Sequence, residues 1–342
     1  MIPVRWEFND DTWELVTEED ENWYDEDWYD YGDTPATRRW ANAVSKDIGG
    51  NITAYWVWIP RYAYKITSCW NQSCSGSAGN IEISFSMGTD DTRGGIINIV
   101  NTCTVDENGI PGSTNCAEDS QQTLESSNWS NHPAFTFGDT ELTGFWIAKF
   151  EVSSNTPTAS YGGGNNTSLN IKSVSGVQSW RNITVSNMFT VSRNMEKSNL
   201  YGWDIAEGEL QTDGTFSTDN NNVDTHMMKN TEWGAVAYLS KSKYGKETEE
   251  IWINPSSQYK TGFAGTGPSV GSESTCPGAS CFAYNTEQGQ QASTTGTVYG
   301  VYDMSGGAWE YTAAYLVDGD VLEEEVTPQD FGRVAALVGE GL

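Results

Sequence analysis

The chain has 342 residues, 37% of them hydrophobic, and its 15 Trp, 16 Tyr and 11 Phe are ample for a buried core. Its formal net charge of −29 repels phosphate, which disfavours nucleic acid and anionic membrane surfaces and makes cations the natural counterpart. No run of about 18 apolar residues and no leader-like charged-then-apolar pattern occurs, so no membrane insertion is expected within the chain.

Residues 1–50 read as a separate acidic, aromatic segment, dominated by the alternating acids and rings between Glu18 and Tyr31. Two readings stand. The paired rings fold back over the following domain while the carboxylates stay in water, or the run is a carbohydrate-stacking or calcium-binding surface. From Ile52 the pattern changes: Thr53–Ile59 is β-branched and aromatic, and Pro60, which cannot donate to a ladder, ends it. Tyr62, Tyr64 and Ile66 continue with period two, and the run from Ile81 to Met87 alternates as a further strand. Residues 88–131 are polar and read as a long insertion.

The segment from Leu142 to Val152 reads as another strand. A loop rich in Gly, Asn, Ser and Thr follows, in which Gly162-Gly163-Gly164 lacks the lysine and strand-to-helix context of a phosphate loop. Between Thr184 and Glu196, the spacing of Met188, Val191 and Met195 predicts an amphipathic helix. A second helix is expected after Asn230 or Thr231 as cap, with Glu232 at the positive end of its dipole and Trp233, Val236 and Ala237 on one face.

The cysteines fall into three short-range pairs, Cys69 with Cys74, Cys103 with Cys116, and Cys276 with Cys281. Each pair brackets turn-forming residues, whereas a zinc site favours Cys-x2-Cys spacing with nearby histidine, and the only histidines are His132 and His226. Disulfides are therefore expected, and with them an oxidising, extracellular or cell-surface location. The two histidines share no spacing that gives a triad or a metal pair.

The densest stretch is Gly300 to Tyr311, GVYDMSGGAWEY, which reads as a strand, a tight loop and a second strand. Val301 and Met304 can face a core, while Asp303 and Glu310 flank Gly306-Gly307, a pair free to adopt positive φ and turn carbonyls toward a cation. Trp146, Trp233 and Trp309 read as core residues.

This stretch resembles the GLYDM-x-GN-x-WEW signature of the formylglycine-generating-enzyme (sulfatase-modifying factor) family, a branch of the C-type lectin fold. The segment from Leu142 to Val152 resembles that family's F-W-I-G-K-Y-E-V-T, and Lys229 to Tyr238 resembles its L-P-T-E-A-E-W-E-Y-A-A helix. All three occur in the family's order. The resemblance implies an α+β, C-type-lectin-like fold with mostly antiparallel strands, two helices and high loop content. The implied domain spans residues 51–316, with loop insertions, while the resembling segments are Leu142 to Val152, Lys229 to Tyr238 and Gly300 to Tyr311. Residues 317–342 form a tail lacking the family's closing R-G-G-S and G-F-R strands, which leaves truncation of a longer protein open.

The resemblance also implies a calcium site, with Asp303, the carbonyls of Gly306 and Ala308, and Glu310 as ligands. Oxygen donors of this kind suit calcium. Gly307 stands where the family has Asn, outside the four ligands, so the departure bears on loop rigidity. The family's enzymatic branch oxidises a cysteine in sulfatases with a downstream pair of copper-holding cysteines, and this chain has no cysteine after Cys281. The expectation is thus a non-catalytic, exported, bacterial or phage-like surface protein. Its loops at 88–131, 153–180 and 205–224 would be displayed for a carbohydrate or protein ligand. The alternatives are a sulfatase-modifying-type oxidase whose active-site segment is missing, and a structural module of a pilus or cell-wall protein.

Overall fold

The β-branched and aromatic run beginning at Ile52 forms the longest strand, and the main sheet is built around it. The structure, a computed structural model, describes residues 1–16, 28–32, 34, 37–66, 81–86, 88–89, 129–137, 140–157, 162–203, 223–247, 249–254, 259–265, 281–313 and 334–338. In chain order the strands begin with β1 (Ile2–Glu7), β2 (Thr12–Leu15), β3 (Asn42–Lys46), β4 (Ile52–Pro60), β5 (Tyr62–Ile66) and β6 (Ile81–Phe85). They continue with β7 (Ser130–Asn131), β8 (Thr136–Phe137), β9 (Thr140–Glu141), β10 (Gly144–Ala148), β11 (Ser153–Ser154) and β12 (Ile171–Lys172). Last come β13 (Val223–Met227), β14 (Phe263–Gly265), β15 (Cys281–Ala283) and β16 (Val334–Val338). The α-helices among the described residues are α1 (Val185–Asn194) and α2 (Asn230–Ser240).

Seven strands make one sheet in the order β13-β16-β10-β4-β3-β1-β2, every neighbouring pair antiparallel. A smaller sheet has the order β6-β5-β7. The architecture is α+β with mostly antiparallel sheets.

Both faces of the central strands are covered, which explains why β10 is buried at all five positions rather than alternating with polar residues. Val57 and Ile59 of β4 and Phe145 and Ile147 of β10 point to one face, where they pack with Ala235, Val236 and Leu239 of α2. Ala54, Trp56, Trp146 and Ala148 point to the other face and pack with Met188, Val191 and Met195 near α1. The period-two geometry of a strand thus sends each helix to its own side. Register sets the pairing: Trp146 lies opposite Trp58, with ring centroids 5.3 Å apart.

Several boundaries differ from those expected. Residues 1–50 are not separate from the sheet, because β1 and β3 pair in register and β3 pairs with β4. Tyr31 binds the end of the acidic run to the domain: its hydroxyl donates to the Trp58 carbonyl at 2.7 Å and accepts the Ala41 N–H at 2.9 Å. That is the fold-back reading for residues 28–32; residues 17–27 lie outside the described part. Within the expected tail, β16 fills the gap between β13 and β10.

The segment at 153–180, expected as display surface, is largely packed. Trp180 is fully buried and donates its indole N–H to the Gly164 carbonyl at 2.6 Å, while Asn165 Oδ1 accepts from Asn187 Nδ2 on the first turn of α1 at 2.7 Å. The other two expected loops lie mostly outside the described residues. So do Cys69, Cys74, Cys103, Cys116 and Cys276, while Cys281 is described only as the first residue of β15.

Helix α2 forms as expected, but its cap is Lys229, whose N–H donates to Glu232 Oε2 at 2.7 Å. Its buried face carries Ala235, Val236 and Leu239, leaving Trp233 and Ala237 only partly covered.

Tyr62 ties the smaller sheet to this helix, since its buried hydroxyl donates to the Ala235 carbonyl at 2.6 Å. Tyr62→Phe should cost about 1 kcal/mol in urea unfolding. Tyr62→Ala, which empties a core site, should cost about 3–5 kcal/mol. Equal costs for both variants would contradict this placement of the ring.

Candidate functional site

Strand β10 ends at Ala148, and the residues after it bury two opposite charges. Lys149 is fully buried, and its ammonium donates to Asn42 Oδ1 at 2.8 Å, to the Gly300 carbonyl at 3.0 Å and to the Val298 carbonyl. The rings of Trp13, Tyr302 and Phe150 lie 5.0, 5.5 and 6.0 Å from it. Burial pushes its pKa well below the usual lysine range. A cation held here needs acceptors, and two of the three are backbone carbonyls at the start of the 300–311 motif. The Lys149 carbonyl in turn accepts the Tyr302 N–H at 2.9 Å, so the lysine fixes where the motif enters the core.

Glu151 fixes where the motif leaves it. Its buried carboxyl accepts the Ala308 N–H at 2.8 Å through Oε1 and the Ser179 hydroxyl through Oε2. A Cβ at Gly307 would overlap this carboxyl, and Gly307 has φ 72°. The glycine is therefore required both for space and for backbone conformation.

Asp303 is the second buried carboxyl of this site. It is held at φ 59°, and its Oδ2 accepts the Gly262 N–H at 2.7 Å and the Thr261 hydroxyl at 3.0 Å. The same Thr261 oxygen accepts the Glu151 N–H at 2.9 Å, which joins the two acids into one network.

These side chains explain why the expected strand, loop and strand are not formed. Among the described residues, 300–313 make only isolated bridges, Ser293 with Tyr302, Asn254 with Gly306, and Lys229 with Ala313. Positive φ at 303, 306 and 307 breaks the pleat, and the Ala308 N–H that a ladder would use is taken by a buried acid.

The four residues of the implied calcium site are distributed as follows. Asp303 is turned to the 261–262 turn, whereas Glu310 is half-buried and accepts the Trp233 indole N–H at 2.8 Å from α2. Gly306 and Ala308 lie between them on the left-handed turn, with Gly306 bridged to Asn254. The donor types, two carboxyls and two carbonyls, fit calcium. A cation would share the Asp303 carboxyl with Thr261 and Gly262. Among the described residues no group of three or more His, Cys, Asp and Glu side chains gathers at one point, so backbone oxygens would have to complete the set.

Trp309 departs from the core reading. Trp146 is buried and Trp233 partly so, but Trp309 is 68% exposed, just past the turn that Glu151 anchors. The segment bridged to Gly306 carries two more outward apolar side chains, Trp252 and Ile253. A buried polar underside thus holds a rigid turn with large apolar groups on its outer side. Sequence reasoning missed Lys149, Glu151 and Thr261 as parts of this arrangement; the one available signal was an acid and a base placed inside an otherwise apolar run.

The two histidines occupy separate places. His132 is buried among Tyr62, Tyr64, Phe135 and Tyr238, and burial pulls its pKa down to about 3. His226 on β13 bridges Asp224 at 2.6 Å and Glu232 at 3.0 Å, and Arg193 of α1 also reaches Asp224 at 2.7 Å. Burial opposes its charge, but the two acids outweigh burial and raise its pKa to about 9. For Asp224, burial is outweighed by His226 and Arg193, which hold its pKa at about 2. The cluster ties β13, α1 and α2 together.

A scan against protein-family models finds no match, and neither does a search of curated proteins. No helix among the described residues is long and apolar enough to cross a membrane.

The raised pKa of His226 gives a stability contribution present in full below about pH 6.5 and lost as pH rises through about 9. The urea midpoint should therefore fall across this window, and His226→Gln should flatten the fall. An unchanged slope in the variant would show that the imidazole is not charged in the fold.

Proposed function

We propose that the chain is a non-catalytic binding module that holds a carbohydrate against the Trp309 turn. The observation that carries this reading is the exposed indole of Trp309 on a turn pinned from below by Glu151. An exposed ring on a turn whose backbone is held can stack on the apolar face of a sugar, and the neighbouring Thr312 hydroxyl offers a hydrogen-bonding group. A neutral sugar meets no repulsion from a chain of net charge −29. The scaffold we propose is the C-type-lectin-like one of the formylglycine-generating-enzyme family, in an exported surface protein with its cysteines paired in sequence order. The α+β sheet with two helices is compatible with that scaffold.

Trp309→Ala should leave the melting temperature nearly unchanged and weaken binding on a neutral glycan array by roughly tenfold or more. If array binding is undiminished, the Trp309 turn is not the sugar contact. Capture of a protein partner that depends on Trp309, with no glycan signal, would transfer the surface to protein recognition.

We also propose that calcium joins Asp303, Gly306, Ala308 and Glu310 beneath this surface. At a hundredfold excess over its dissociation constant the ion should add about 2.7 kcal/mol to stability. Chelation should then lower the melting temperature, and Glu310→Gln should remove most of the calcium response. A melting temperature indifferent to calcium would leave the turn held by Glu151 and Asp303 alone.

A further inference from the structure

A separate cavity of about 440 Å³ opens between β6 and the turn that follows α2. Its volume is in the range of small-molecule sites. The lining divides by chemistry. Ile81, Ile83 and Trp129 supply apolar and aromatic surface, while Lys241, Lys243, Glu82 and Glu247 supply charged groups of both signs. None of these residues belongs to the Trp309 turn.

The turn is fixed from several directions. The Tyr244 carbonyl accepts the buried Trp40 indole N–H at 3.0 Å, the Arg38 guanidinium donates to the Lys243 carbonyl, and Lys241 Nζ pairs with Glu250 at 2.8 Å. Glu247 is held at φ 54°, a left-handed conformation that a residue with a Cβ enters at a cost. Glycine is the residue that turn conformation favours. Retaining a carboxylate there is explained if the side chain has work to do in the cavity.

We infer that this cavity is a second binding site, for a neutral sugar ring. It rests on the carbohydrate reading of the Trp309 turn but uses different residues. The lining carries two cations and two anions, which favours a ligand without net charge. Lysine donates hydrogen bonds and glutamate accepts them, and adjacent hydroxyls on a sugar need both. Trp129 and the isoleucines offer the surface on which the carbon face of a ring packs.

The test is calorimetric titration of the full chain with cellobiose, chitobiose and glucuronate, alongside Glu247→Gly, Trp129→Ala and Trp309→Ala. Glu247→Gly should raise the melting temperature by relieving the left-handed strain, yet weaken binding of the neutral disaccharides at this site by about tenfold, a loss that misfolding cannot produce. Trp129→Ala should weaken the same binding component, and Trp309→Ala should leave it intact. Glucuronate should bind more weakly than the neutral sugars, and raised salt should not change neutral-sugar binding. If Trp309→Ala abolishes all binding while the cavity variants bind like the parent, the turn stands and the cavity proposal falls. If the cavity variants lose binding and Trp309→Ala does not, the cavity stands and the turn reading falls. Preference for glucuronate, lost at high salt, would overturn the neutral-ligand assignment, and no binding of any of the three sugars would overturn both sites.

Discussion

The arrangement of the functional surface depends on the burial of Lys149 and Glu151, two opposite charges two residues apart at the end of the central strand β10. A buried charge must recruit polar partners, and in this fold the partners are the backbone groups of the segment 298–308. The lysine takes carbonyls at one end of the motif and the glutamate takes an amide at the other. The conformation of an irregular segment is thereby set by side chains projecting from a regular one. This resolves how a turn with three departures from extended backbone, at Asp303, Gly306 and Gly307, is held without a ladder to either side among the described residues.

The sheet makes those charges possible. Because α1 and α2 close opposite faces of β4 and β10, the end of β10 emerges into a region already shielded from water, where hydrogen bonds to charged groups are strong and their loss is costly. The shielding also reaches outward. The Trp233 indole on α2 meets Glu310, so the helix that covers the sheet also steadies the far side of the turn. What remains for solvent is Trp309, together with Trp252 and Ile253 on the bridged segment. An immobilised underside and an apolar outer side are what a recognition surface requires, since little ordering is left to be done on binding.

The regular elements were legible because burial imposes periodicity. Strands β4 and β5 follow the apolar and aromatic runs that announced them, and α1 buries Met188 and Val191 on the face their spacing defined. The structure describes the turn at 300–311 quite differently from its sequence reading, because alternating large residues there look like strand while the partners that dissolve the ladder, Thr261, Ser179 and Glu151, lie far away in sequence. The same distance hid the His226 cluster, whose members come from three elements. Trp309 was misjudged for a related reason: in a motif full of core residues, nothing local says which ring is left outside. The acidic composition obscured the first strands, since β1 and β3 carry few of the charges that made residues 1–50 look like a separate segment.

The central claim is that one buried carboxyl, that of Glu151, pins the turn that presents Trp309. Residue-resolved amide hydrogen exchange tests it directly, comparing the parent with Glu151→Ala. The account predicts that the Ala308 amide is protected in the parent and exchanges freely in the variant, while Val57 and Ile147 in the central sheet keep their protection. An Ala308 amide that exchanges as fast in the parent as in an unstructured peptide, or that stays protected without the carboxyl, would contradict it.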